Sequence, residues 1–251
     1  MVFLENCIKN FETISLDEMD SVSLMKRVDT KFLINRKKLE SIFSTLSIHY
    51  KILKVKDVIK SKYSSFYFDT VNYKFFLDHH NGKLNRAKVR FREYVDSKTS
   101  FLEIKRKNQK GVTIKKRMKV VRPSQVLNSD QKKYIQEILD KKQELIYCHS
   151  NSFFRLTLVN KHSKERITLD FDLEFKKDGK TISDKTNNIV IIEIKQEKLN
   201  RNSFFYNLMK ENGVRPSSMS KYCIGTSLLN QSLKANRFKK NFRILDKNNK
   251  N

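Results

Sequence analysis

The stretch LNRAKVRFREY (Leu84–Tyr94) alternates between charged and apolar side chains with a period of two residues. Successive side chains of a strand point to opposite faces, so one face of this segment is basic and the other apolar. The basic face carries Arg86, Lys88, Arg90 and Arg92, opposite Val89 and Phe91. A helix would mix the two sets around its circumference, and the segment is therefore predicted to be a half-buried strand.

The same alternation predicts further strands at residues 64–69, 100–107, 112–121, 153–159, 166–175 and 189–196. Their polar faces, with that of 84–94, hold twelve basic and four acidic groups. One such strand by itself is an ordinary antiparallel strand with a solvated face. Like charges side by side destabilise a sheet unless an anion offsets them. These mostly basic polar faces therefore favour a basic, strand-lined concavity for a polyanion such as a phosphate chain.

Apolar residues at helical spacing predict short helices within the first 25 residues and longer ones at 37–46, 130–147 and 202–212. We expect these helices to cover the apolar outer face of the sheet. Residues 1–235 are predicted to form one domain, and residues 236–251, which are polar and basic, a frayed tail.

The composition is that of a folded basic protein, with 251 residues, a formal net charge of +26 and 38% hydrophobic residues. No apolar run is long enough for a membrane span, and the amino terminus lacks the pattern of a signal peptide. Three cysteines without C-x-x-C spacing indicate reduced thiols. The expected location is the cytoplasm. No glycine-rich phosphate loop and no zinc-site spacing is present.

An ordered set of short motifs spanning residues 27–225 resembles the VTC domain, the polyphosphate-polymerase domain of the vacuolar transporter chaperone complex in the triphosphate tunnel metalloenzyme superfamily. The motifs are RVDTKF (27–32), YFDT (67–70), KVRFREY (88–94), FLEIKRK (101–107), IIEIK (191–195) and SMSKY (218–222). Each is weak alone, and their order gives the resemblance its strength.

The resemblance implies an α+β fold, with an antiparallel closed β-barrel of about eight strands forming a tunnel and helices packed outside. It implies a polymerase that transfers the ATP γ-phosphoryl group onto a growing inorganic polyphosphate chain with the help of Mn²⁺ or Mg²⁺. Neither an SPX domain nor transmembrane helices accompany the matched region, so a free-standing member is expected, without a nucleic-acid partner and of unknown oligomeric state.

Carried over position by position, the resemblance implies a catalytic set and a wider phosphate-binding set. The catalytic set is Arg90, Arg92, Lys105 and Lys195. The phosphate- and nucleotide-binding set is Lys31, Lys107, Lys115 or Lys116, Arg117, Arg155, Arg166, Ser220 and Lys221. Glu193 is expected to hold the metal, and Glu103 either assists there or forms a structural ion pair. The superfamily's E-x-E-x-K motif appears here as Arg27-x-Asp29-x-Lys31, which argues against metal ligands on that strand.

Two other functions remain open from the sequence. The same lining residues serve a triphosphatase that uses water as the acceptor, acting on inorganic triphosphate or a nucleotide. A non-catalytic polyanion or RNA binder is also compatible with the high positive charge. Basic and aromatic residues are not interleaved on one strand face as stacking platforms require, although Phe91, Tyr94 and Phe101 keep that option open.

Overall fold

The computed structural model of the chain describes residues 6–20, 27–110 and 112–249. The strands are β1 (Thr13–Ile14), β2 (Val28–Asn35), β3 (Tyr50–Leu53), β4 (Ser61–Asp69), β5 (Arg86–Tyr94), β6 (Thr99–Lys107), β7 (Thr113–Val120), β8 (Ile146–Asn160), β9 (Glu165–Lys177), β10 (Lys180–Ile182) and β11 (Ile189–Gln196). The helices are α1 (Leu16–Asp20), α2 (Arg36–His49), α3 (Lys74–His80), α4 (Ser129–Leu139), α5 (Phe204–Glu211), α6 (Lys221–Leu229) and α7 (Lys239–Asn249), with a 3₁₀ turn at Asn236–Phe238.

One sheet contains all of these strands, and its main path runs β2-β11-β9-β8-β4-β5-β6-β7. Neighbours along this path are antiparallel. The two ends of the path are β2 and β7, and no pairing joins them within the described ranges. The antiparallel sheet was correctly predicted, whereas its closure into a barrel is not seen in the part of the chain that the structure describes. The physical reason lies in β7, which is exposed along most of its length and rich in lysine, the composition of a protected sheet edge.

The apolar faces of the strands form the cores that the alternation predicts. Ile192 and Ile194 of β11 pack with Leu169 of β9 and Leu156 of β8. Helices α2 and α5 cover them with Phe43, Leu46, Phe205 and Met209. On the other half of the sheet, α4 covers Val89, Phe91, Leu102 and Ile104 with Ile135 and Leu139. These helices lie on the outer face of the sheet, as expected.

Helix α6 departs from the prediction that the helices pack outside. Ile224 and Leu228 belong to a core with Leu33 and Ile191, whose strand neighbours Phe32 and Ile192 face the outer core. Adjacent strand residues point to opposite faces, so α6 packs on the inner face of the sheet. The helix is buried around its circumference, which explains why its sequence lacks a polar stripe.

Gly225 permits this close approach of α6 to the strands. A Cβ atom at this position would lie 2.4 Å from the Phe175 ring and 2.6 Å from Nε2 of His149. Either contact is far inside van der Waals distance, so only glycine fits without displacing the helix or the strand residues.

Two segment predictions were wrong in part. The apolar pattern at 130–147 was assigned to one helix, but α4 ends at Leu139, Asp140 adopts a left-handed conformation and β8 begins at Ile146. Residues 236–251 are predicted to be frayed, but α7 forms at Lys239–Asn249 and buries Leu245 in the inner core, while residues 250 and 251 lie outside the described ranges. Of the short helices expected in the first 25 residues, α1 is present, and residues 1–5 and 21–26 lie outside the described ranges.

Candidate functional site: a cation-lined cavity

The inner face of the sheet and the amino-terminal end of α6 enclose a cavity of about 590 Å³. Twelve cationic and four carboxylate side chains line it, an excess of eight positive charges. The cations are Arg27, Lys31, Lys88, Arg90, Arg92, Lys105, Lys115, Lys116, Arg117, Arg155, Lys195 and Lys221, and the carboxylates are Asp29, Glu103, Asp170 and Glu193. Cations gathered against a low-dielectric wall focus the field inside the cavity and favour a multiply charged anion.

The strand register orders many of these side chains, together with some neighbours that do not line the cavity, into rows that cross the sheet, and each row is separated from the next by two residues. One row is Lys88, Lys105 and Lys115. The next is Tyr67, Arg90, Glu103 and Arg117, followed by Asn151, Ser65, Arg92 and Phe101 and then by Phe153, Tyr63 and Tyr94. The cavity wall therefore changes along the strands from lysine through arginine to aromatic side chains.

Glu193 lies between two lysines on the β2 side of the cavity. Its carboxylate accepts a hydrogen bond from Lys31, and its other oxygen lies 2.7 Å from Nζ of Lys195. Burial alone would raise the pKa of Glu193, but Lys195 and Lys31 outweigh burial and keep the pKa well below its usual range. Removal from water lowers the pKa of Lys195 to about 8 despite the neighbouring Glu193. The site thus holds an ionised carboxylate beside a lysine that titrates near pH 8.

Asp170 organises a second cluster, on β9. Nε and Nη2 of Arg155 donate to its two carboxylate oxygens at 2.6 and 2.8 Å, and Lys221 of α6 donates to the same group. Burial opposes ionisation of Asp170, but the two cations hold its pKa well below the usual range. Asp170 is 3% exposed, so water cannot take the place of its carboxylate as the partner of the two cations. The carboxylate therefore holds both cations in position.

Arg90 is held by Glu103 and Tyr67 in the neighbouring strands. Its Nε and Nη2 lie 2.8 and 2.7 Å from Oε2 of Glu103, and Nη1 donates to the Tyr67 hydroxyl at 3.2 Å. Burial would raise the pKa of Tyr67, but Arg90 and Arg92 outweigh it and lower the pKa to about 8. Glu103 forms the structural ion pair that the sequence left as one of two possibilities.

The amino-terminal end of α6 supplies the remaining wall. Ser220 caps the helix by accepting from the Cys223 amide at 3.2 Å, and it also accepts from Nζ of Lys88 at 3.0 Å. The first-turn amides of a helix carry partial positive charge, so this end of α6 adds to the attraction for anions. Behind it, Tyr222 donates to the buried carboxylate of Asp69, which also accepts from the Phe75 and Phe76 amides of α3. These bonds fix α6 relative to β4.

The row that contains Arg92 has unmet hydrogen-bonding capacity. Ser65, Asn151 and Arg92 are 0%, 1% and 5% exposed. The Ser65 hydroxyl, both amide atoms of Asn151 and Nε of Arg92 have no hydrogen-bond partner within the described part of the chain. Buried polar groups are nearly always paired, so this row offers donors that a water molecule or an anion would satisfy.

The residues fit a divalent metal only if phosphate oxygens complete its coordination. No group of three or more histidine, cysteine, aspartate or glutamate side chains able to hold a metal is found in residues 6–20, 27–110 and 112–249. Glu193 supplies one ionised carboxylate that faces the cavity. One carboxylate together with substrate oxygens is a usual environment for Mg²⁺, and hard oxygen ligands also suit Mn²⁺.

Most of the residues predicted from sequence come together in the cavity. Those that line it are Lys31, Arg90, Arg92, Glu103, Lys105, Lys115, Lys116, Arg117, Arg155, Glu193, Lys195, Ser220 and Lys221. Lys107 and Arg166 do not line it. Lys107 lies one step beyond Lys105 at the end of β6, and Arg166 lies within 3.5 Å of the Met19 sulfur. Both residues have the strand parity of the lining residues. Parity determines the face of the sheet to which a side chain points, but not whether its position along the strand is next to the cavity.

Some lining residues were left out of the predicted set. Lys88 has the same parity as Arg90 and Arg92, and Asp170 the same parity as Arg166, so the alternation contained the signal for both. Tyr63, Tyr67 and Phe153 were not selected because aromatic residues in strands usually indicate core packing.

One solved structure supports the fold, and a second is also similar to the chain. The proposed adenylyl cyclase HpAC1 from Hippeastrum, described as having a dominant triphosphatase activity, is 16% identical, with a TM-score of 0.50 over 81% of this chain and 96% of its own. A proposed adenylate cyclase from Bacillus halodurans is 13% identical, with a TM-score of 0.49 over 78% of this chain and 94% of its own. No curated protein matches the chain.

The antiparallel sheet with its cation-lined cavity defines the class, an α+β protein whose fold HpAC1 shares. Within that class, the model of the VTC domain matches residues 26–230. The chain belongs to the VTC domain family. No helix in the described ranges has the length and apolar character needed to cross a membrane.

Proposed function

We propose that this protein is a polyphosphate polymerase, which transfers the γ-phosphoryl group of ATP onto the end of an inorganic polyphosphate chain bound in the cavity. The observation that carries the proposal is the excess of eight positive charges lining one cavity of a VTC domain. A single carboxylate or a sugar would leave most of these charges unmatched, whereas a phosphate chain carries negative charge along its whole length.

Phosphoryl transfer requires the protein to align the reacting groups and to neutralise the charge of the phosphates, and it requires little covalent chemistry from the protein. Arg90 and Arg92, from neighbouring rows of β5, are suited to grip phosphate oxygens through their planar guanidinium groups. Lys195 and Lys105 act as point charges near the transferred group. The Glu103 and Tyr67 contacts hold Arg90 in place before substrate binds, so less rotamer entropy is lost on binding.

No general base is required from the side chains, because the terminal phosphate of the acceptor is already largely ionised at neutral pH. A divalent ion, Mn²⁺ or Mg²⁺, would be held by Glu193 and substrate oxygens, and it would neutralise charge on the phosphates and the leaving group. With a metal held at Glu193, Lys31 and Lys195 would be able to turn from that carboxylate toward phosphate oxygens.

The direct test incubates purified protein with ATP and Mn²⁺ and resolves the products on a gel stained for polyphosphate. We expect chains that lengthen with time. Release of free phosphate without chains would overturn the polymerase proposal.

Glu193→Gln separates a catalytic protein from a mere polyanion binder. The variant should lose turnover and still bind inorganic triphosphate, because the cations that surround the carboxylate are retained. Glu174→Gln on β9 is the control, because Glu174 pairs with Lys176 and does not line the cavity. This control should retain turnover.

A triphosphatase is the second candidate, and the position of α6 favours it. The helix packs on the inner face of the sheet, with its amino-terminal end against the cavity, so a growing chain cannot pass through the space it fills. A polymerase must release its product past another part of the cavity wall, whereas a hydrolase releases only short products. HpAC1, which shares the fold, is described as a triphosphatase.

A further inference from the structure

Aromatic side chains form the last row of the cavity wall, beyond the arginines. Phe153, Tyr63 and Tyr94 face one another across β8, β4 and β5, and all three line the cavity. The rings of Tyr63 and Phe153 are stacked, with centroids 5.4 Å apart and planes 4° apart, and Tyr94 lies 5.1 Å from Tyr63. The opposite end of the same wall, at Lys88 and Lys105, has no aromatic residue in its row.

The part of the sheet around Tyr94 is open to a ligand. Phe153 is buried, but Tyr94 and Phe101 are only half-buried, and Arg117 beside them is exposed. The Phe101 ring stands edge-on to Tyr94 at 6.1 Å, and the Arg117 guanidinium lies 4.8 Å above the Phe101 ring. A planar group entering here meets aromatic rings and a guanidinium plane, the two surfaces on which nucleobases stack.

The spacing along β5 connects this row with the phosphate-binding part of the cavity. Tyr94 is four residues beyond Arg90, which corresponds to about 14 Å along an extended strand. Arg92 lies between them, with its guanidinium 5.3 Å from the centroid of the Tyr63 ring. A nucleoside triphosphate has a comparable length, so its phosphates can reach Arg90 while its base remains at the aromatic end.

We infer that Tyr94, Phe101 and Arg117 form a stacking site for the base of the nucleoside triphosphate donor. The inference rests on the proposed function, because it requires a nucleotide rather than inorganic triphosphate as the substrate. Stacking tolerates different bases, since every base has a π-face. The site therefore selects a nucleotide over inorganic triphosphate and discriminates weakly between ATP and GTP.

The test compares ATP with inorganic triphosphate by isothermal titration calorimetry without added divalent metal, so that turnover does not interfere. Tyr94→Leu and Phe101→Leu remove the rings and retain apolar volume. Each is expected to weaken ATP binding about fivefold or more, the lower range for loss of base stacking, and to leave inorganic triphosphate binding unchanged. Phe66→Leu is the matched control, because Phe66 lies on the opposite face of β4 against Tyr147.

The possible outcomes separate this inference from the function on which it rests. An equal loss for both ligands, or no loss for ATP, overturns the stacking site and leaves the phosphate site standing. Wild-type protein that binds inorganic triphosphate at least as tightly as ATP also overturns it. Failure of the wild-type protein to bind either ligand refutes the proposed function itself, and with it the stacking site.

Discussion

Asp170 provides a sharp test of the electrostatics of the cavity, because it is the buried counter-charge of two cations from different elements. Asp170→Asn preserves the shape of the side chain and removes the charge that faces Arg155 and Lys221. With Asp170 3% exposed, water cannot replace the lost charge. Breaking one partner of a buried ion pair costs about 3–5 kcal/mol, and we expect a loss in this range in the free energy of unfolding.

The assay is equilibrium urea unfolding followed by far-ultraviolet circular dichroism, since the protein contains no tryptophan. Asp178→Asn is the control. Asp178 sits in a hairpin turn with a φ of 48°, which asparagine tolerates, and its side chain is 79% exposed. This control should change the free energy of unfolding by less than about 0.5 kcal/mol.

Inorganic triphosphate should restore part of the stability that Asp170→Asn loses, because its negative charges can neutralise the released Arg155 and Lys221. An Asp170→Asn variant as stable as wild type, or one that loses no more than the Asp178→Asn control, would refute the assignment of Asp170 as the buried counter-charge.

Three further predictions concern pH, ligand and packing. Lys195 and Tyr67 both have pKa values of about 8, so each loses a proton as the pH rises through 8, and the cavity loses positive charge. Calorimetry should show weaker triphosphate binding at pH 9 than at pH 7. The loss of affinity between the two pH values should be smaller in the Lys195→Arg variant, because arginine stays charged. Equal affinity of the wild-type protein at both pH values would contradict this prediction. Triphosphate at about 100 times its dissociation constant should stabilise the protein by about 2.7 kcal/mol, which corresponds to a rise of about 5–10 °C in melting temperature. Chloride at equal ionic strength should not have this effect. An equal rise in melting temperature with both salts would exclude an internal site. Gly225→Ala should lower the free energy of unfolding by about 1–3 kcal/mol, because the added Cβ would clash with Phe175 and His149. An unchanged midpoint in urea unfolding would show that α6 is not tightly packed at this position.

The sequence predicts the inner and outer faces of the sheet well, because the two-residue period is a local property of each strand. The strand predicted at 189–196 coincides with β11, and Lys88, Arg90 and Arg92 of β5 line the cavity as their parity requires. The resemblance to the VTC domain added the expectation of a barrel of about eight strands and a set of candidate phosphate-binding residues, neither of which follows from periodicity.

Other features depend on contacts between distant segments and left little local signal. The sequence of α6 is apolar around the helix, which is compatible with burial on either face of the sheet, and only its contacts place it on the inner face. Strand β2 buries Phe32, Leu33 and Ile34 in succession, so both of its faces are apolar and the alternation is lost. Closure of the sheet depends on whether β2 and β7 meet, which parity cannot decide.

The most direct test of the central claim is a crystal structure of the protein with inorganic triphosphate and Mn²⁺. The account predicts phosphate groups inside the cavity, within hydrogen-bonding distance of Arg90, Lys195 and Lys221, with the metal between Glu193 and phosphate oxygens. Triphosphate bound only on the outer surface, with the cavity holding nothing but water, would contradict it.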